Sequence, residues 1–294
     1  MGIKKTSVME NITADGESID VSTLKKEVFQ KEISTIPYSF YSGSAVVLDD
    51  EIHILGASAS NHNQEHYKWT GTQWESVSTL PYSFYDGCAV VFNDEIHILG
   101  GYSTNTQTLH YKWNGSEWVS VSTLPYQFYH GSACVFNNEI HIMGGGSSET
   151  LHYKWNGTQW VSVSTLPFNH KYGQSVVLNA EIHIMGGAAS GPNTKHYKWN
   201  GTEWIEVSTL PISITYSGIV ILNNEIHIMG GQLNQDSHYH YNGTLWYEDD
   251  VLPYQLHKGC AVVYKNEIYI LGGSTSNTTN LFYNLTYKVY RSEV

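Results

Sequence analysis

Gly87-Cys88-Ala89-Val90-Val91-Phe92-Asn93-Asp94-Glu95-Ile96-His97-Ile98-Leu99-Gly100-Gly101 reads as two short strands around one tight turn. The first apolar run stops at Asn93-Asp94, residue types that tolerate the positive φ of a two-residue hairpin. The chain returns through Glu95 to Leu99 until a glycine pair ends it. Further on, Leu109 to Trp113 and Trp118 to Thr123 flank Asn114-Gly115, the strongest short-range hairpin signal a sequence carries. Leu124-Pro125 closes the unit, because proline has no N–H to give to a ladder.

The same unit recurs along the chain. A Leu-Pro or Ile-Pro pair stands at Pro37, Pro81, Pro125, Pro167, Pro211 and Pro253, at steps of 44, 44, 42, 44 and 42 residues. Glu-Ile-His follows at Glu51, Glu95, Glu139, Glu181 and Glu225, and the last copy reads Glu267-Ile268-Tyr269. Four strands in one unit cannot bury both faces of their own sheet, yet the first two strands are apolar throughout, which implies cover on both sides. Stacking the sheets radially as blades supplies that cover and shields most sheet edges. The expected fold is all-β: a six-bladed β-propeller with four antiparallel strands per blade.

The sixth copy lacks a fourth strand. It runs Gly259 to Tyr264, Glu267 to Leu271 and then an expected strand at Thr286 to Tyr290. Phe29 to Pro37 matches Gln73 to Pro81 in register, so an N-terminal strand is expected to complete the last blade and close the ring. Residues 28–294 then form the propeller. Residues 1–27 are polar, lack the repeat and read as an arm suited to an assembly partner.

The double glycine after an apolar strand, with Tyr111 about ten residues on and Trp118 seven beyond it, resembles the kelch repeat, in all six copies. Two features depart from that pattern. Histidine replaces the usual aromatic before the glycines in five copies, and the arginine common after the proline is absent throughout. Kelch copper oxidases use a Tyr–Cys crosslink with converging histidines, and no matching set can be placed here.

Bulk composition excludes several functions. The formal charge is −12 and Arg291 is the single arginine, so no nucleic-acid partner is expected. No apolar stretch is long enough to span a bilayer, and no secretory signal is present as written, which leaves compartment unknown. Met1-Gly2 with Thr6 fits the loose myristoylation pattern. Cys88, Cys134 and Cys260 form neither a disulfide framework nor a zinc spacing, and no cofactor is expected.

Because the repeats align internally, what recurs reads as frame and what varies as site. His53, His97, His141, His183 and His227 share a second-strand slot; His66, His110, His152, His196 and His238 share a third-strand slot. Equivalent residues of different blades cannot meet at one ion, so these read as packed, hydrogen-bonded histidines. His238 and His240 lie i, i+2 with no third ligand evident, so no metal site is expected. The tryptophans flank the Asn-Gly turns as cross-strand pairs, and those turns account for the sequons at Asn114, Asn156, Asn200 and Asn242. Cys88 and Cys260 share an inner slot with Ser44 and Ser132.

The variation gathers on one rim. Four residues after the prolines stand Tyr41, Tyr85, Tyr129, Lys171, Thr215 and His257; five after them stand Ser42, Asp86, His130, Tyr172, Tyr216 and Lys258. The loops after the glycines also vary, and contribute Tyr102 and Gln232. Kelch propellers generally bind on this face, which implies a non-catalytic recognition module for a glycan or protein receptor. Arrays with a His-Tyr-Lys-Trp-Asn-Gly signature look like bacterial or phage surface and tail proteins, and imply a place on a virion or bacterial surface. The alternative is a kelch-fold enzyme acting on sugars, of the epimerase or mutarotase type, with Asp86 and His130 as its acid–base couple.

Overall fold

The computed structural model describes residues 13–14, 17–18, 24–59, 61–102, 107–187, 193–273 and 280–291. They form six four-stranded antiparallel sheets, with no helix among the described residues. Blade 2 is representative: Cys88–Phe92, Glu95–Leu99, Leu109–Trp113 and Trp118–Thr123 pair in chain order. Its turn residues Asn93 and Asp94 have φ of 52° and 58°, as a type I′ hairpin requires. First strands of neighbouring blades touch in a closed cycle, so they line a central axis. The chain is a six-bladed β-propeller.

Each second strand is buried on both faces, and the hydrophobic clusters explain why. Val46 and Leu55 of blade 1 pack with Leu80, Phe84, Ile96 and Ile98 from the next repeat, and every other cluster likewise joins two neighbours. Full burial of a side chain such as Phe84, with no exposed surface, contributes about 1.5–3 kcal/mol. The stability therefore resides between blades rather than within them.

The ring closes as the repeats require, with two corrections. Blade 6 comprises Cys260–Tyr264, Glu267–Leu271, Leu281–Arg291 and, from the N-terminal side, Leu24–Thr35. Its third strand begins at Leu281, not Thr286: Phe282 pairs with Leu271 and fills the core slot that histidine holds elsewhere, while the stretch past Leu285 pairs only with the closing strand. That closing strand reaches back to Leu24, four residues inside the expected arm. Within the arm, Thr13–Ala14 pairs with Glu17–Ser18, and its remaining residues lie outside the described ones.

The repeated histidines form a hydrogen-bonded relay. In blade 1, His53 Nδ1 lies 2.9 Å from His66 Nε2, and His66 Nδ1 lies 2.8 Å from Ser78 Oγ. Trp118 of blade 2 donates its indole N–H to the same hydroxyl at 3.0 Å, so the relay crosses between blades. It repeats through His97–His110–Ser122–Trp160, His141–His152–Ser164–Trp204 and His183–His196–Ser208–Trp246. The facing nitrogens of these buried imidazoles are thus paired without charge, while the far Nε2 of His97 and of His141 is buried with no hydrogen-bond partner among the described residues.

Burial holds these imidazoles neutral. It lowers His53, His97, His141 and His183 to about 4, and His66, His110, His152 and His196 to about 3. In the unfolded chain each takes a proton near pH 6.5; in the folded one it does not until pH 3–4. The stability they contribute is full above pH 6.5 and falls with pH below it, by about 1.4 kcal/mol per pH unit for each group in that window. Thermal melts from pH 7.5 to 4.5 are expected to show a steep loss of melting temperature beginning near pH 6.5. A melting temperature flat across that range would contradict the neutral relay.

Candidate functional site

Six residues meet around the axis at the rim, and their backbones join head to tail. The N–H of Asp86 donates to Ser42 O, His130 to Asp86, Tyr172 to His130, Tyr216 to Tyr172, Lys258 to Tyr216 and Ser42 to Lys258, at 2.7 to 3.2 Å. All six have positive φ, between 53° and 63°. None is glycine, so each carries a strain of about 1–2 kcal/mol. Side chains held in such a conformation at a converging point mark the rim as a candidate site.

These six residues, with the first-strand residues beneath them, line a funnel of about 270 Å³. Asp86 Oδ2 lies 3.1 Å from His130 Nε2. The hydroxyls of Ser42 and Ser217 and Nδ1 of His130 are buried in this lining and hydrogen-bond to no group among the described residues. Buried polar atoms without partners are uncommon in a folded protein, and here they gather in the wall of one cavity.

An aromatic arc runs outward from the funnel. Tyr216 and Tyr172 have ring centroids 4.6 Å apart, and Tyr172 and His130 4.5 Å. Tyr102 stacks on His130 at 5.5 Å and 23°, and lies 5.0 Å from Tyr129 and 6.3 Å from Tyr85. Lys258 sits over Tyr216 at 4.7 Å, and Lys171 over Tyr172 at 5.4 Å and Tyr129 at 5.5 Å. His257 meets Tyr216 edge-on at 5.6 Å. Tyr102 is 48% exposed, so the arc presents an open ring to solvent.

The structure thus brings together most of the rim residues that vary between repeats. Those five after the prolines line the funnel; those four after stand outside it. Tyr41 is apart from the arc and donates to Ser58 O at 3.3 Å. Thr215 Oγ1 and Gln232 Oε1 lie 3.4 Å apart beside it. Residues 103–106, 188–192 and 274–279 of the variable loops lie outside the described residues.

The glycine pair brings neighbouring loops into contact. Gly100 has φ +62°, and a Cβ there would stand 2.0 Å from Phe128 O; Gly101 N–H donates to that same oxygen at 2.9 Å. Two features escaped the sequence reading. The backbone ring leaves no residue signature, whereas His170 does: it alone is polar in the slot of Phe40, Phe84, Phe128, Ile214 and Leu256. Its Nε2 lies 2.9 Å from Ser132 Oγ, and burial lowers it to about 4.

No family model matches the chain, and no curated protein does. Among solved structures, that of YjhT superposes with a TM-score of 0.73 at 14% identity, over 87% of this chain and 99% of that one. The likeness supports the propeller fold.

The inner slot shared by Cys88, Cys260 and Ser44 stitches blades together, since each donates to a glycine carbonyl of the neighbouring blade at 3.3 to 3.4 Å. Burial pushes the Cys88 and Cys260 thiols up to about 12. With so little thiolate at pH 8, iodoacetamide is expected to leave both unlabelled in the folded protein and to label them fully in denaturant, read by peptide mass spectrometry. Rapid labelling of the folded chain would show instead that the funnel activates them.

Proposed function

We propose that the chain is a non-catalytic recognition module of kelch-like design that binds a glycan at the mouth of the propeller. The observation that carries this is the aromatic arc around the strained backbone ring. Tyr102, Tyr129, Tyr172 and Tyr216 offer flat apolar faces, while Asp86, His130, Ser42 and Lys258 supply hydrogen-bonding groups at the centre. Rigid aromatic faces beside short polar side chains suit a ligand with apolar ring faces and many hydroxyls. With no arginine on the rim, a neutral glycan fits better than an acidic one, because Arg is the bidentate reader of carboxylates. The resemblance to surface and tail kelch arrays supports a receptor-binding role within an assembly, with residues 1–27 on the attachment side.

A sugar-converting enzyme is the second reading, favoured by the Asp86–His130 contact. A general base needs its proton acceptor within reach of the substrate; Asp86 and His130 both line the funnel, and His130 Nδ1 is itself buried in its wall. The dyad gives no role to Tyr102 and Tyr129, which lie outside the funnel; binding uses both.

A glycan array probed with the purified protein tests the proposal. Selective binding is expected, reduced at least tenfold in a Tyr102→Ala, Tyr129→Ala variant that keeps the parent melting temperature. Selective binding that survives that substitution, or none above background, would overturn it. Turnover of a bound sugar that is lost in His130→Gln would replace it with the enzyme reading.

A further inference from the structure

Blade 5 breaks the histidine relay in a way that changes its chemistry. His227 and His238 keep the usual contact, Nδ1 to Nε2 at 3.1 Å. The two groups that complete the relay elsewhere, a serine hydroxyl and an indole N–H, are both replaced. In the serine's place stands Asp249, whose N–H donates to His238 O at 2.9 Å. The neighbouring group is Tyr287 of the blade that closes the ring, whose Oη lies 2.9 Å from His238 Nε2 and 3.2 Å from His227 Nδ1. An indole N–H can only donate; a carboxylate and a phenol oxygen can both ligate.

We propose that His227 Nδ1, His238 Nε2, Asp249 Oδ2 and Tyr287 Oη form a four-coordinate site for a divalent transition metal of the zinc class, clasping blade 5 to the closing blade. The geometry carries this. The Asp249 carboxylate lies 3.5 Å from His238 Nε2 and 3.9 Å from His227 Nδ1, and the three ligand atoms fall within 4.8 Å of one another. A tetrahedral zinc with bonds near 2.0–2.1 Å separates its ligand atoms by about 3.3 Å. Five of the six separations among these atoms run from 2.9 to 3.9 Å and bracket that value. Two imidazoles, a carboxylate and a phenol suit zinc or a neighbouring ion rather than calcium or magnesium, which take oxygen alone.

The surroundings resemble a built metal shell. His240 Nδ1 lies 2.9 Å from Asp249 Oδ2 and fixes that carboxylate, while its ring stacks on Tyr247 at 5.2 Å. Glu225 Oε2 stands 3.9 Å from the far nitrogen of His227. Carboxylates behind ligating histidines and groups that pin a ligating carboxylate are the outer-shell partners such sites require. His227, His238 and His240 are each at most 2% exposed, so the site is closed, as structural zinc sites are. Among the described residues no other blade brings such a set together: blades 1 to 4 offer serine and tryptophan, and blade 6 replaces both histidines by Tyr269 and Phe282.

The test uses the full-length, untagged protein, stripped with EDTA and titrated with Zn²⁺ against a chromophoric chelator. One equivalent per chain is expected, with Co²⁺ giving the intense visible absorption of a tetrahedral site and EDTA lowering the melting temperature of the loaded protein. Asp249→Asn is expected to weaken binding by at least about 100-fold, beyond the 10–100-fold cost of losing an outer-shell partner. His152→Gln, at the equivalent slot of blade 3, is expected to leave it unchanged. Failure of the wild-type chain to bind Zn²⁺, or equal binding by Asp249→Asn, would overturn the proposal and leave the cluster as a buried hydrogen-bond network.

Discussion

Everything in this molecule depends on one strand pairing. Blade 6 has three strands of its own, and its fourth comes from the far end of the chain, where Leu24–Thr35 pairs with Leu281–Arg291. Without that pairing the outer edge of blade 6 is open, and the ring has nothing to hold its ends together. With it, the cluster that joins blades 6 and 1 forms around Ile36, Phe40, Ile52, Tyr269 and Phe282. Burial between neighbours is what stabilises each blade, so closure turns six marginal sheets into one cooperative body.

The relay shows how repetition and closure conflict. Four blades pass a hydrogen bond through two histidines and a serine to the next blade's tryptophan. A ring assembled from two chain ends cannot repeat that motif everywhere. The indole N–H of Trp74, the tryptophan facing the closing blade, finds no hydrogen-bond partner among the described residues, although its ring packs on Trp69 and Phe282. Blade 6 abandons the histidines for Tyr269 and Phe282. Blade 5 turns from serine to a carboxylate, and Tyr287 of the closing blade comes to meet it. The seam is therefore where the frame stops repeating and distinct chemistry becomes available.

Much of the fold was legible because it is written in turns. Asn93-Asp94 and Asn114-Gly115 fix hairpins locally, and the prolines mark where each repeat ends, so six blades and an exchanged strand could be counted. The rim was legible for a related reason: aligned repeats separate Tyr172 and Lys258 from the constant frame around them. Contacts set by register were not. In blades 1 to 4 a bulge between the third-strand histidine and tyrosine brings the serine four positions past the tryptophan into the relay, as with Trp118 and Ser122. Blade 5 pairs Tyr239 with Glu248 and shows no such shift, so Asp249 rather than Asp250 comes opposite His238. Residue spacing is the same in both cases and could not distinguish them. The ring of hydrogen bonds at the mouth was equally invisible, since main-chain groups make it.

The frame and the site then divide cleanly. Constant residues bury, relay and turn; varied residues are carried at one backbone position into the funnel, at a conformational cost the rigid ring can sustain. That division rests on the closing strand behaving as part of the whole body, and hydrogen exchange measures this directly. Amides of residues 28–35 are expected to exchange with the same opening free energy as those of Glu95–Leu99, which lie in a blade remote in sequence from the seam, and both are expected to respond equally to added denaturant. Exchange of residues 28–35 through a separate, low-energy opening, with Glu95–Leu99 still protected, would contradict the account and show that the blades stand without the closing strand.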